Sequence, residues 1–295
     1  MLKLWLECAR AYSLPITVLS WLVIFCWSLK HDGSVLNGLI ALVGIACAHL
    51  AANLFDDYFD YKVLSKDEKF MNSAQKCKCR LITSGVVTHE AYLAEAFVFA
   101  GAACLAGGAL FFLAGPAVVW LAAIGAVIVL GYSKFSRTGC GELAVAIAYG
   151  PLMFEGVYYC MTKTFSFDVL ILSAAAVCMA VGVVYTHMLL DYDGDEVSHK
   201  KTLCRIIGSK DRALTGLMCI YAAGYVLLGI FAVKIHNYML FAPYLTLPLV
   251  VGLYKSMGIY IKESLDDEAS FYFRFYQARN LFTYFSLILG MAVLL

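Results

Sequence analysis

The sequence predicts an all-α, polytopic membrane protein: nine transmembrane helices in one bundle, forming a single domain over residues 1–295. Three observations carry this. The chain is 62% hydrophobic and 15% charged, with a mean hydropathy of +0.79, whereas a soluble domain carries about 25% charge. Its apolar runs mostly approach the ~20 residues a helix needs to cross a bilayer. None of them has the short alternating pattern of a β-barrel. A net charge of +1 also argues against a nucleic-acid partner, which requires a basic face.

Apolar continuity places the spans near 12–29, 35–60, 91–113, 116–133, 142–161, 167–190, 213–233, 239–261 and 276–295. The first is long and lacks a small-x-small cleavage site, so it is read as a helix rather than a signal peptide. Lys30-His31-Asp32-Gly33, Gly115-Pro116, Thr162-Lys163 and Lys234-Ile235-His236-Asn237 punctuate the runs. Positive charge is one-sided. Lys3 and Arg10 precede the first span; Lys62, Lys66, Lys69, Lys76, Lys78 and Arg80 follow the second; Lys134 and Arg137 the fourth. Lys200, Lys201, Arg205, Lys210 and Arg212 follow the sixth, and Lys255, Lys262, Arg274 and Arg279 gather around the loop after the eighth. The alternate loops hold Lys30, Lys163 and Lys234. This asymmetry places the N-terminus and the even-numbered loops in the cytoplasm, and nine spans then put the C-terminus outside. The expected location is the cell inner membrane or its equivalent. The cysteines are scattered as small core residues; the Cys77-x-Cys79 pair has no partner pair at zinc spacing.

Two acidic clusters stand out. At the end of the second span, His49, Asn53, Asp56 and Asp60 fall at i, i+4, i+7 and i+11 on one helix face, with Asp57 beside them. An Asp at mid-helix costs about 2.5–3.5 kcal/mol to insert, so this group belongs at a membrane edge or in a wet cavity, with a cation. At the end of the sixth span, His187, Asp191 and Asp195 follow one another at single-turn spacing. Both clusters occupy helix C-termini, where the dipole disfavours carboxylates, and both lie on the same side. Their separation by four spans points to two four-helix repeats plus one helix. Hard oxygen ligands beside basic loops suit Mg2+ held jointly by protein and phosphate, with Lys and Arg adding charge-assisted hydrogen bonds. A polyprenyl diphosphate meets that description, its head at the membrane edge and its tail between helices. The non-enzyme alternative is a transporter, but transporters place such acids at mid-membrane on broken helices.

Here the chain resembles the UbiA superfamily of intramembrane prenyltransferases, and within it the 1,4-dihydroxy-2-naphthoate branch. Asn53 and Asp56-Asp57-Tyr58-Phe59-Asp60 match the first family motif, with Asp56 where Asn is usual; Asp67 resembles a later family Asp. Asp191 and Asp195, followed by Lys201-Thr202-Leu203, match the second. Arg80-Leu81-Ile82-Thr83-Ser84-Gly85 and Tyr132-Ser133-Lys134-Phe135-Ser136-Arg137 resemble two further family stretches. Gly139-Cys140-Gly141-Glu142-Leu143 and Gly150-Pro151 resemble the naphthoate branch, although His187-Met188-Leu189-Leu190 replaces that branch's Asn-Asn-x-Arg. The resemblance implies Mg2+-dependent transfer of a polyprenyl group from its diphosphate to an aromatic acceptor, in menaquinone or related quinone synthesis. Other acceptors of the family (4-hydroxybenzoate, homogentisate, haem, chlorophyllide, a glycerol lipid) are the alternatives. It implies that Asp56, Asp57, Asp60, Asp191 and Asp195 are catalytic and hold metal, and that Arg80, Lys134, Arg137, Lys200 and Lys201 clamp diphosphate. Substrate-binding candidates are His49, Asn53, Tyr132, Glu142 and His187. Tyr132, Tyr58 and Phe154 are candidates to stabilise an allylic cation. His49 and His187 either orient carboxylates or phosphate or are structural, and Glu142 either caps a helix or positions the acceptor.

Overall fold

The computed structural model describes residues 2–66, 80–197, 200–265 and 267–295. Among these the fold is all helix. In chain order the helices are α1 Leu2–Cys8, α2 Leu14–Leu29, α3 Val35–Leu64, α4 Arg80–Thr83, α5 His89–Ala114, α6 Ala117–Thr138 and α7 Gly141–Ile147. There follow α8 Met153–Thr162, α9 Phe167–Leu190, α10 Gly194–Val197, α11 Leu203–Ile207, α12 Lys210–Lys234, α13 Leu247–Lys262 and α14 Glu268–Leu294.

Among the described residues, eight helical stretches are long and apolar enough to cross a membrane. The ninth expected span is α14, which is 27 residues long but carries Arg274 and Arg279 in its first half. It begins at Glu268, earlier than the apolar run suggests, because Asp267 caps it by accepting from the Ser270 N–H. Two expected continuous helices are interrupted. Gly150 (φ −97°, ψ −111°) and Pro151 break the fifth span into α7 and α8 around a π turn, Ala148–Leu152, since Pro removes a backbone donor. Pro243 and Pro248 likewise leave the first nine residues of the eighth span, Tyr238–Thr246, as 3-10 helix before α13.

The most extensively packed pairs are α3 with α5 and α9 with α12, the second–third and sixth–seventh spans. Close approach at α9–α12 needs Gly182: a Cβ there would lie 2.4 Å from the buried Tyr221 ring. The main core gathers α2, α8, α9, α12, α13 and α14, and a smaller one (Cys8, Leu54, Phe55, Tyr92 and neighbours) fastens α1 to the ends of α3 and α5 that lie beside the acidic cluster.

Candidate active site

At the last turns of α3, Asp56, Asp57 and Asp60 are 1%, 1% and 2% exposed. Carboxylates buried to this degree persist only with counter-charges and hydrogen bonds, and the chain provides both. Arg10 closes α1 in a left-handed conformation (φ 51°, ψ 46°), which a non-glycine residue adopts at a cost. That turn aims its guanidinium back at α3, where it pairs with Asp57 and lies 3.6 Å from Asp56. Asp60 accepts from the Ser133 hydroxyl at 2.7 Å and lies 2.9 Å from Lys200 Nζ. Arg137 Nε is 4.0 Å away, with its Nη2 donating to Ser133 at 2.8 Å. Three cations thus face three carboxylates.

The second cluster reaches the same place through the loop after α9. Lys200 N–H donates to the Asp195 carbonyl at 3.0 Å, and Arg205 Nη1 donates to the Tyr192 carbonyl at 3.0 Å. Lys200, anchored in this way, directs its ammonium at Asp60. Burial works against the Lys200 ammonium, but Asp56 and Asp60 outweigh it and hold its pKa well above the ordinary value. Asp195 is buried, and the partly exposed Asp191 pairs with His187 Nδ1 at 3.1 Å.

Both clusters open into one cavity of about 2300 Å³. Asp57, Asp60, Asp191, Asp195, Arg10 and Lys200 line its polar end. From Asp60 it follows α3 as far as Ala41, which at 1.5 Å per residue is about 28 Å. Its deep part is walled by small and apolar residues of α5, α6 and α8, including Gly107, Gly108, Gly125 and Gly156.

Most of the expected site residues meet here. Asp57, Asp60, Asp191, Asp195, Lys200, His49, Asn53, Tyr132 and His187 line the cavity, while Asp56 and Arg137 stand behind it in contact with its ion pairs. Others are placed elsewhere. Lys134 and Lys201 are exposed outside the cavity, because Lys134 falls on the outer face of α6 and Lys201 on the far side of the loop turn that buries Lys200. Glu142 caps α11 by accepting the Leu203 N–H at 2.5 Å. Phe154 is fully buried in the main core, and Tyr58 stacks on His89 with centroids 3.9 Å apart. His49 contacts hydroxyls rather than carboxylates. Asp67 and the Arg80 side chain lie outside the described residues.

Sequence reasoning counted Arg10 only as a topological charge. It also gave the last span no part in the site, although Tyr272, Phe275, Tyr276 and Arg279 of α14 line the cavity at the i, i+3, i+4, i+7 spacing of one helix face. That spacing was the available signal; Arg10 offered none beyond standing at the threshold of the first apolar run.

The donor set fits magnesium. Hard carboxylate oxygens from two helix ends face one space, yet among the described residues no three His, Cys, Asp or Glu side chains converge into a cage. Two facing carboxylate groups suit an ion that takes one or two carboxylates and completes its shell with water and phosphate.

The chain belongs to the UbiA prenyltransferase family, whose profile matches residues 14–279; it is an integral membrane prenyltransferase. It is similar to a 1,4-dihydroxy-2-naphthoate octaprenyltransferase from Haemophilus influenzae, 25% identical over 225 residues, 70% of each chain. In fold it matches a UbiA homologue from Aeropyrum pernix (TM-score 0.68, 18% identity, 94% of this chain and 96% of that one). It also matches a UbiA homologue from Archaeoglobus fulgidus bound to GPP and Mg2+ (TM-score 0.59, 15% identity, 98% and 99%).

Proposed function

We propose that this single-domain enzyme transfers a polyprenyl group from its diphosphate to a hydroxylated naphthoate, with Mg2+, in quinone synthesis. The observation that carries the reading is that carboxylates from two helix ends far apart in sequence line one mouth of a cavity whose deep part is walled by small and apolar residues. The naphthoate relative and the Mg2+-bound homologue support the acceptor and the metal.

Asp57, Asp60, Asp191 and Asp195 are the residues that would hold Mg2+, with Asp56 supporting them through Arg10. A metal bound there would supply positive charge to offset the negative charge developing on a diphosphate leaving group. Arg10, Lys200 and Arg137 then share their donors between carboxylates and phosphate oxygens. The prenyl chain lies along the small-residue wall of α5 and α6. The allylic C–O bond breaks with its electron pair leaving on diphosphate, a C–C bond forms to the ring, and the ring regains aromaticity as the attacked carbon loses its proton, or its carboxylate as CO2, the bonding pair returning to the ring. Tyr132 and the α14 aromatics face the cation with their rings and keep the space dry. The positive-charge asymmetry puts this mouth on the cytoplasmic side, and the matched α3–α5 and α9–α12 pairings favour two four-helix repeats followed by α14.

The test is product analysis. Purified protein is given a prenyl diphosphate and a panel of hydroxybenzoate, homogentisate, naphthoate and glycerol-lipid acceptors, with Mg2+ or EDTA. Mass spectrometry should find prenylated naphthoate in the Mg2+ arm alone. A product from another acceptor only, or undiminished product in EDTA, contradicts the reading.

A further inference from the structure

Farther along the cavity wall, four polar side chains gather around His49. They come from four elements: Ser13 in the 3-10 turn Ala11–Ser13, Thr17 on α2, Asn53 on α3, and Tyr149 in the π turn. All line the cavity, amid Ile45, Ala48, Ala148 and Leu152. The hydrogen bonds fix the imidazole's protonation. The Ser13 hydroxyl donates to the Arg10 carbonyl at 2.7 Å, so its lone pairs accept, one from Asn53 Nδ2 at 3.2 Å and one from His49 Nε2 at 2.8 Å. In neutral His49 the proton therefore sits on Nε2 and Nδ1 presents a lone pair. Two hydroxyls compete for it: Thr17 at 2.5 Å and Tyr149 at 2.8 Å, themselves 3.2 Å apart. One lone pair cannot serve both. The second hydroxyl therefore bonds to the first, and Tyr149, partly exposed where Thr17 is fully buried, keeps lone pairs that can accept a hydrogen bond from the cavity.

A prenyl chain offers this group nothing to bond, and diphosphate is held elsewhere: His49 lies eight residues, about 12 Å, along α3 from Asp57. That separation leaves room for an allylic carbon and one flat ring. We propose that the His49–Tyr149 pair is the acceptor subsite, receiving the phenolic hydroxyl of the aromatic substrate, with Thr17, Ser13 and Asn53 holding His49 in the tautomer and orientation this needs. The assignment rests on the aromatic-acceptor reading above. Tyr149 itself stands in the π turn broken at Gly150-Pro151, and such turns are frequent at functional sites.

Tyr149→Phe removes the hydroxyl and keeps the ring. With 1,4-dihydroxy-2-naphthoate as acceptor it should raise the acceptor KM about tenfold, the worth of one hydrogen bond to a buried partner. The KM for prenyl diphosphate and the thermal midpoint should stay at wild-type values. Binding of 1-hydroxy-2-naphthoate without donor, followed by its fluorescence, should weaken to the same degree. An unchanged acceptor KM, or equal shifts in both KM values with a lowered midpoint, would overturn the subsite while leaving the prenyl-transfer reading standing. If wild-type protein makes product with no aromatic acceptor, both fall together.

Discussion

Arg10 carries more of the site than its place in the sequence announces. Its backbone is held in the left-handed region, its side chain spans Asp56 and Asp57, and its carbonyl accepts from Ser13, so it ties the acidic mouth to the His49 cluster. Arg10→Met should leave nearly buried carboxylates short of a counter-charge, costing about 3 kcal/mol of stability, seen as a lower thermal midpoint. The KM for prenyl diphosphate should rise by tenfold or more, and Arg10→Lys should recover part of both. A wild-type KM in Arg10→Met would remove it from the diphosphate site. The carboxylates were legible because acids in an apolar run break a local rule. Arg10 was not, because a basic residue before a first span is ordinary topology, and its contacts depend on how α1 folds back onto α3.

At the scale of elements, α3, α5 and α6 wall the deep part of the cavity, where the proposed reaction needs room for a prenyl tail. Gly125 lines the cavity, and the nearest atom to a Cβ there is Leu152 Cδ2 at 3.9 Å, so a side chain at this position would grow into the space. Gly125→Phe should therefore shorten the longest donor used. With diphosphates of two, four and eight isoprene units, turnover of the longest should drop at least tenfold while the shortest is unaffected. Equal loss across all three would mean the wall does not read chain length. The helices themselves were readable from apolar continuity and polar punctuation. The breaks were read less well: Gly150-Pro151 was recognised as a motif rather than as the cause of a π turn, and Pro243 and Pro248 lay inside a run apolar enough to pass as one helix. For α14, the arginines that dilute its apolarity are explained by the structure. Arg274 donates to the Ser256 and Ser270 carbonyls over the Tyr260 ring, and Arg279 faces the cavity.

The whole molecule joins two acidic helix ends, 131 residues apart between Asp60 and Asp191 by the numbering, across a cavity that runs inward between the helices. Their convergence was expected from chemistry, since facing carboxylates need a shared cation, and from the same-side placement of both clusters. The linkage that achieves it was not, because it depends on one backbone bond from Lys200 to Asp195 and one ion pair from Lys200 to Asp60. Lys200 and Lys201 are neighbours of equal charge, and only the fold separates the buried one from the exposed one.

The central claim is that both ends act on one diphosphate, and a double-mutant cycle on ligand binding tests it most directly. Binding of farnesyl thiodiphosphate, a slowly reacting analogue, would be titrated with Mg2+ for wild type, Asp57→Asn, Asp191→Asn and the double variant. A shared ligand predicts that each single change weakens binding and that the double departs from additivity by about 1 kcal/mol or more. Additive losses within about 0.3–0.5 kcal/mol, or a single variant that binds as tightly as wild type, would contradict it.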